Sequence, residues 1–330
     1  MYRKKRTKMQ AKGTLMEIGG YLGFETFKAK PYYPELYALN LARTALPYLL
    51  ETLKVKTLFA PYYLCNSVPD ACMQKGIEVL PYYLNDDLSP AFNDELPKDS
   101  YLLLVNHYGQ LTDDKIRLFK ERYERVIVDN THSFFQKPVL DVPTFYSCRK
   151  FFGVSDGAYL YSPVPLPNIE EQDQSHGRMA HILGRCEGNA GDYYQSMLNT
   201  ANSYYDEDVK RMSLVTENIL GAIDYEEVRN KRNANYHILD ELLGDYNTLP
   251  FITPDGPLAY PFFHPEAKAI RKELAMQGIY VPTYWNNVID TMMEETIEYQ
   301  YAANILVLPV DQRYGEVEMK IVAKAVLALI

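Results

Sequence analysis

YLLLVNHYGQLTDDKIRLFKERYERVIVD, residues 101–129, decides the fold class. It opens with an apolar run, YLLLVN (101–106), short enough to be a buried strand. A polar stretch at 112–122 has the length of a surface helix, and RVIVD (125–129) is a second strand of β-branched residues. Strand, helix and strand within so few residues is the unit that makes strands parallel. The same rhythm continues upstream, with KTLFAP (56–61) as a strand stopped by Pro61, a helix near 67–75 and a strand at 77–83. Before these, Leu46-Pro47-Tyr48-Leu49-Leu50 with Leu53 marks a helix face starting near Arg43 or Thr44. These elements predict a mostly parallel central sheet flanked by helices on both faces, an α/β domain.

Downstream, FYSCRKFFGVSDGAYLY (145–161) has strand-like ends around a glycine-containing loop, and SPVPLPN (162–168) closes the sheet region. Residues 171–244 read as almost wholly helical, and Gly244 stops the run YEEVRNKRNANYHILDELL (225–243). The tail alternates again, with strands at 258–263, near 279–281 and at 304–309, and helices at 265–277, near 291–302 and at 316–328. The expected organisation is an N-terminal segment 1–38, a large domain 39–224 and a small C-terminal α+β domain 225–330. A length of 330 residues suits about two domains.

Composition narrows the function classes. Hydrophobic residues make up 47% and charged residues 23%, ordinary globular values that exclude a disordered or coiled-coil chain. The net charge of -9 argues against nucleic-acid or anionic-membrane partners, which need positive potential. No apolar run reaches the ~18 residues of a membrane span, and the basic stretch Met1–Lys8 is not followed by the apolar core of a signal peptide. Cys65, Cys72, Cys148 and Cys186 lack zinc spacing, so no metal is expected and the expected location is a reducing cytoplasm. Tyrosine is abundant, with 29 copies and several doublets, which suits interfaces and wet pockets as well as core.

An open α/β sheet binds its ligand at the carboxyl ends of its strands. Asp129 stands at such an end; alone it is more often a turn cap than a functional carboxylate. His132 follows in the same loop. Lys150 lies between Arg149 and Phe151-Phe152, and a lysine held beside apolar groups and a second cation can serve as an amine nucleophile. NLARTAL (40–46) leads into a helix whose start, with Arg43 and Thr44, offers donors to an anion; it lacks the glycines of a nucleotide-binding loop. An anion cradle, a ring-facing carboxylate and a lysine are together the requirements of pyridoxal phosphate.

In this order the segments resemble the DegT-type sugar aminotransferases, pyridoxal-phosphate enzymes of fold type I, over roughly 38–328. LNLARTALPYLL (39–50) resembles the family's phosphate segment, APYYLCNSV (60–68) the strand and turn after it, and LVNHYGQ (104–110) a third conserved-looking segment. VIVDNTHSFF (126–135) matches the acid-containing strand, SCRKFFGVSDGAYLY (147–161) the lysine loop, and GIYVPTYW (278–285) and ILVLPVDQRYG (305–315) the small domain. The resemblance implies that Asp129 pairs with the pyridine nitrogen, that Lys150 holds the cofactor covalently and shuttles the proton, and that His132 lies near the ring hydroxyl. It implies that Ala42, Arg43 and Thr44 hold phosphate, and that Tyr63 or Cys65 stacks on the ring.

Two positions depart from the family pattern. Ala42 stands where typical members carry glycine, and Phe145 where they carry a phosphate-binding hydroxyl, leaving Ser147 as the nearest substitute. The implied activity is transfer of an amino group from an amino acid, with glutamate the expected donor, to a nucleotide-linked keto sugar, by a homodimer. Relatives that dehydrate the sugar carry histidine at the lysine position, so Lys150 favours transamination. The departures also admit a non-catalytic ligand-binding or regulatory protein on the same fold. A glycosyltransferase on a doubly wound sheet is disfavoured, because no DxD-type acidic pair follows a strand.

Overall fold

The computed structural model describes residues 18–27 and 30–330; Met1–Lys8 therefore lies outside the described residues. The strands of the main sheet are β1 (Tyr37–Leu39), β2 (Thr57–Pro61), β3 (Glu78–Tyr82), β4 (Ser100–Val105), β5 (Val126–Asp129), β6 (Thr144–Ser147) and β7 (Ala158–Tyr161). Their spatial order is β1-β7-β6-β5-β4-β2-β3. Only β7 runs antiparallel to its neighbours, so the other six strands end on the same edge. The crossover helices upstream are α1 (Ala42–Thr52), α2 (Ser67–Gln74) and α3 (Asp113–Tyr123).

Strand parity divides the core into two layers. Leu102, Leu104, Val126, Val128, Tyr146 and Tyr159 face one layer, with Ile116 of α3. Leu103, Val105, Ile127, Phe145, Ala158 and Leu160 face the other, against Leu46, Leu49 and Leu50 of α1. Successive side chains of a strand point to opposite faces, so a run without polar residues is what a sheet covered on both sides requires.

The later helices are α4 (Ala180–Glu187), α5 (Tyr194–Asn202), α6 (Leu214–Leu220) and the long α7 (Tyr225–Leu243). Beyond them, β8 (Ala259–Phe263) and β9 (Ile305–Pro309) form a separate antiparallel pair, with α8 (Ala267–Met276), α9 (Asn286–Thr291), α10 (Ile297–Asn304) and α11 (Glu316–Leu327). Tyr260, Phe262, Leu306 and Leu308 pack with α7, α8 and α11 in a third core. Ala259, Ile305 and Val307, on the opposite face of the pair, join the aromatic layer of the main sheet. The small sheet is thus held between its own helices and the large sheet's core. No described helix is long and apolar enough to cross a membrane.

Three expected elements differ. Residues 279–281 form no strand and pair with none among the described residues; Pro282 removes a ladder donor and Gly278, at φ +79, turns the chain out of α8. The helix expected near 291–302 is two helices, because Met292 is extended and Thr296 caps a new start by accepting from Tyr299 N–H. Residues 171–244 include irregular backbone as well as helices; around 203–213 the chain makes only isolated bridges through Arg211. Tyr37 and Ala38, placed by sequence in the leading segment, enter the sheet as its edge strand.

Leu104, fully buried on the central strand β4, tests the packing. Leu104→Ala is expected to lower stability by about 2–5 kcal/mol in urea unfolding, because the two covered faces leave little room for collapse into the cavity.

Candidate active site

Adjacent strands β5 and β6 deliver Asp129 and the Cys148–Lys150 turn to the same edge. Asp129 is 3% exposed, and its Oδ1 accepts the N–H of Thr131 at 2.8 Å. Burial pushes its carboxyl up to about 6, against the opposing pull of the Thr131 hydrogen bond and the Lys150 charge. The loop after β5 is tied down on both sides. Asn106 at the end of β4 donates to Asn130 Oδ1 at 2.9 Å and accepts Leu111 N–H at 2.8 Å, and Tyr146 donates to the Gln136 carbonyl.

His132 is buried beyond Asp129, and burial, then Lys150 and His107, hold it well below the ordinary histidine range. Its Nδ1 is buried without a partner among the described residues. Three aromatic rings surround it: Trp285 nearly parallel at 5.6 Å, Tyr284 at 5.5 Å and Tyr108 at 5.6 Å between centroids. Lys150 is exposed, with Nζ 4.9 Å from the centre of the Tyr284 ring. Tyr63 is buried beneath Trp285, their rings 4.2 Å apart. His107 Nε2–H donates to the Tyr63 carbonyl at 2.7 Å, since a carbonyl only accepts, leaving Nδ1 as a buried acceptor without a partner among the described residues. Burial pushes His107 down to about 4.

The other end of the site lies at the start of α1. No side chain caps this helix, and the N–H groups of Ala42 and Arg43 find no acceptor among the described residues. Thr44 turns inward: its hydroxyl donates to Asn40 Oδ1 at 2.9 Å and to the Leu41 carbonyl at 3.0 Å. Arg149, half-buried beside Lys150, lies 4.4 Å from the Tyr204 ring, and Arg178 lies 5.2 Å from the same ring. Arg178 is paired with Asp173 and Glu207; Arg149 and Arg43 make no ion pair among the described residues. Burial lowers the Arg149 pKa, and the nearby Arg43 and Arg178 add to the effect. Gly157, at φ +116, donates to the Asn40 carbonyl at 2.5 Å and accepts from Cys148 N–H, joining the lysine turn to the start of α1.

Of the residues singled out by sequence, His132, Lys150 and Tyr63 join one aromatic cluster, and Asp129 feels the charge of Lys150 beside it. Ala42 and Arg43 lie at the anion end with Arg149. Ser147, half-buried at the end of β6, is one strand position from the lysine turn and shares its sheet face with Phe145, which packs into the core against α1. Cys65 is exposed at the approach to α2 and makes none of the ring contacts. Arg149, His107, Tyr284 and Trp285 carry no roles in the sequence reading. Only the position of His107 after a strand and of Arg149 beside the lysine offered a signal.

No protein-family model matches the chain, and neither does any curated protein. Solved structures do. A DegT/DnrJ/EryC1/StrS aminotransferase from Brucella abortus superposes with a TM-score of 0.63 at 12% identity, over 89% of this chain and 85% of that one. The chain has the fold of the sugar aminotransferases. Spr1654 of Streptococcus pneumoniae, assigned as a sugar aminotransferase and solved in a PLP form, gives 0.62 at 12% identity over 90% and 88%. The sugar aminotransferase CalS13 from Micromonospora echinospora gives 0.62 at 12% identity over 89% and 87%.

Two of the buried titrating groups, His107 and Asp129, predict opposite pH effects in the cofactor-free protein. His107 falls from 6.5 to about 4, so its contribution to stability is complete above 6.5 and is lost as pH falls toward 4. Asp129 rises from 3.8 to about 6, so its contribution is complete below 3.8 and is lost as pH rises through 6. His107→Gln is expected to flatten the loss of stability between pH 7 and 5, and Asp129→Asn to steepen it, each by on the order of 1–2 kcal/mol. Urea midpoints at pH 7, 6 and 5 measure both; parallel curves for the three proteins would refute the assignment.

Proposed function

We propose that this protein is a pyridoxal-phosphate-dependent aminotransferase that moves an amino group from an amino acid, with glutamate the expected donor, to a nucleotide-linked keto sugar. The observation that carries this reading is the placement of Lys150, buried Asp129 and His132 just beyond the ends of neighbouring strands, on a fold that superposes on the sugar aminotransferases. The residues fit the cofactor at both ends. Asp129 offers a desolvated carboxyl to a ring nitrogen, and His132 Nδ1 is a buried nitrogen awaiting a partner. Two open helix N–H groups and two unpaired arginines offer an anion cradle.

When bound, pyridoxal phosphate supplies an electron-accepting ring that stabilises the carbanion left when the donor loses its Cα proton. Asp129 holds the proton on the ring nitrogen, and the loop network through Asn106 and Gln136 fixes its direction. Lys150 Nζ would hold the cofactor covalently, and its free amine would be the base that carries the proton between the donor and acceptor carbons. His132 orients the ring's hydroxyl side. Ala42 and Arg43 N–H, with the Arg43 and Arg149 side chains and Ser147, hold the phosphate, taking over from the missing hydroxyl at Phe145. Tyr63, Tyr284 and Trp285 exclude water from the ring.

A homodimer belongs to the same reading, and the exposed apolar residues Ile18, Tyr21, Leu22 and Phe24 give surface for it. The free cysteines suit a reducing cytoplasm. The inward Thr44 hydroxyl and Phe145 favour a second reading, a ligand-binding protein of this fold that does not turn over.

Adding pyridoxal phosphate to purified protein is expected to give a visible band that borohydride fixes onto the Lys150 peptide, and Lys150→Ala is expected to lack both. Asp129→Asn should retain the adduct and lose roughly 10²-fold in half-reaction rate with glutamate. Absence of any band in the wild type rejects the enzyme reading. A band with no half-reaction for any amino donor selects the ligand-binding reading. The protein's single tryptophan, Trp285, gives an independent readout: its fluorescence should be quenched on cofactor binding and be absent from Trp285→Phe.

A further inference from the structure

Arg232 is 1% exposed on α7, and no carboxylate pairs with it among the described residues. Its guanidinium makes four hydrogen bonds: Nε to Gln312 Oε1 at 2.9 Å, one terminal nitrogen to the Pro257 and Leu258 carbonyls at 2.9 and 3.3 Å, and the other to the Phe151 carbonyl at 3.2 Å. Gln312 Nε2 donates to that same Phe151 carbonyl at 2.8 Å, so both lone pairs of one oxygen are taken. The guanidinium also lies 4.6 Å from the centre of the Phe151 ring. Burial pushes its pKa down to about 10. A buried cation whose hydrogen bonds all go to neutral acceptors, with the Asp311 carboxylate acting on it only through space, is a costly way to hold a helix to its neighbours, and apolar packing does that task more cheaply.

What the arrangement uniquely fixes is a peptide group. Phe151 follows Lys150 directly and closes its turn, with the N–H groups of Phe151 and Phe152 both donating to the Cys148 carbonyl. We propose that Arg232, acting with Gln312, is a positioning residue for Lys150: clamping the Phe151 carbonyl from α7 and from the segment after β9 sets the direction in which the lysine turn presents its amine. Lys150 thereby takes its orientation from the C-terminal unit, although Asp129 and His132 take theirs from the sheet. The significance of the amine rests on the aminotransferase reading; the clamp itself does not.

The test uses cofactor-free full-length protein, so that the two can fail separately. Arg232→Lys keeps the charge and loses the fork; Gln312→Ala removes one donor without leaving a buried cation. Hydrogen exchange is followed by peptide, and the pH dependence of Lys150 acetylation by acetic anhydride is followed on its peptide. Both variants are expected to speed exchange at Phe151 and Phe152 by about tenfold and to move the acetylation midpoint, with β4 and β5 as protected as in the wild type. Wild-type exchange in the turn together with a wild-type acetylation profile overturns the proposal. If Arg232→Lys loses protection throughout, Gln312→Ala alone decides by the same criteria. Failure of the wild type to capture pyridoxal phosphate would sink the proposed activity and leave this measurement intact.

Discussion

A carboxyl group at the end of an apolar strand, sealed from water and given one backbone N–H, is the constraint around which this site is arranged. Asp129 is held where its charged form is disfavoured. Such a group is stabilised by neutralisation, or by a cation brought to it. Lys150 supplies part of that field from the next strand, and His132 stays neutral because burial and the same lysine oppose its protonation. The three groups are therefore coupled electrically before any ligand enters, and a protonated ring nitrogen facing Asp129 would relieve the buried carboxylate.

The sheet provides the precision and the C-terminal unit provides the enclosure. The parallel run of β5 and β6 places Asp129 and the lysine turn on one edge, and hydrogen bonds from Asn106, Gln136 and Gly157 hold the intervening loops. The enclosing rings come from the segment before α9. Trp285 adopts φ 58, ψ 56, a left-handed conformation that costs a bulky residue roughly 1–2 kcal/mol. Its contacts with Tyr63, His107 and His132 offset that cost, and Asn287 donating to the Leu64 carbonyl at 2.9 Å anchors the segment to the large sheet. Strain stored at Trp285 is explained by the packing it achieves there.

Legibility in the sequence follows how local each determinant is. The parallel sheet could be read because each strand between β2 and β6 is a short apolar run ended by a turn, and Asp129, His132 and Lys150 could be found because they sit directly at those ends. Residues 279–281 have strand composition, yet pairing is decided by a partner strand, which composition does not encode. Tyr284 and Trp285 meet His132 across more than 150 positions, and no spacing rule spans such a gap. Thr44 has the right chemistry for an anion, but the fully buried Asn40 draws its hydroxyl inward. Arg149 was visible only as a neighbour of Lys150, because its role depends on the Tyr204 ring.

That ring bears on how the anion end works without a hydroxyl at Phe145. Arg178 faces Tyr204 too, but Asp173 and Glu207 balance its charge. Arg149 has the aromatic face and no ion pair among the described residues, a half-buried cation kept in place by a flat apolar partner whose own hydroxyl is committed to the Ser155 carbonyl. A hydroxyl binds phosphate by one directed hydrogen bond. A guanidinium binds it by charge and by a planar fork, over a wider range of orientations and at greater reach. Replacing the first with the second removes the need for close approach at Phe145, which can then fill the core beneath α1. On the proposed reading, the arginine next to the lysine is what answers for the departure at Phe145.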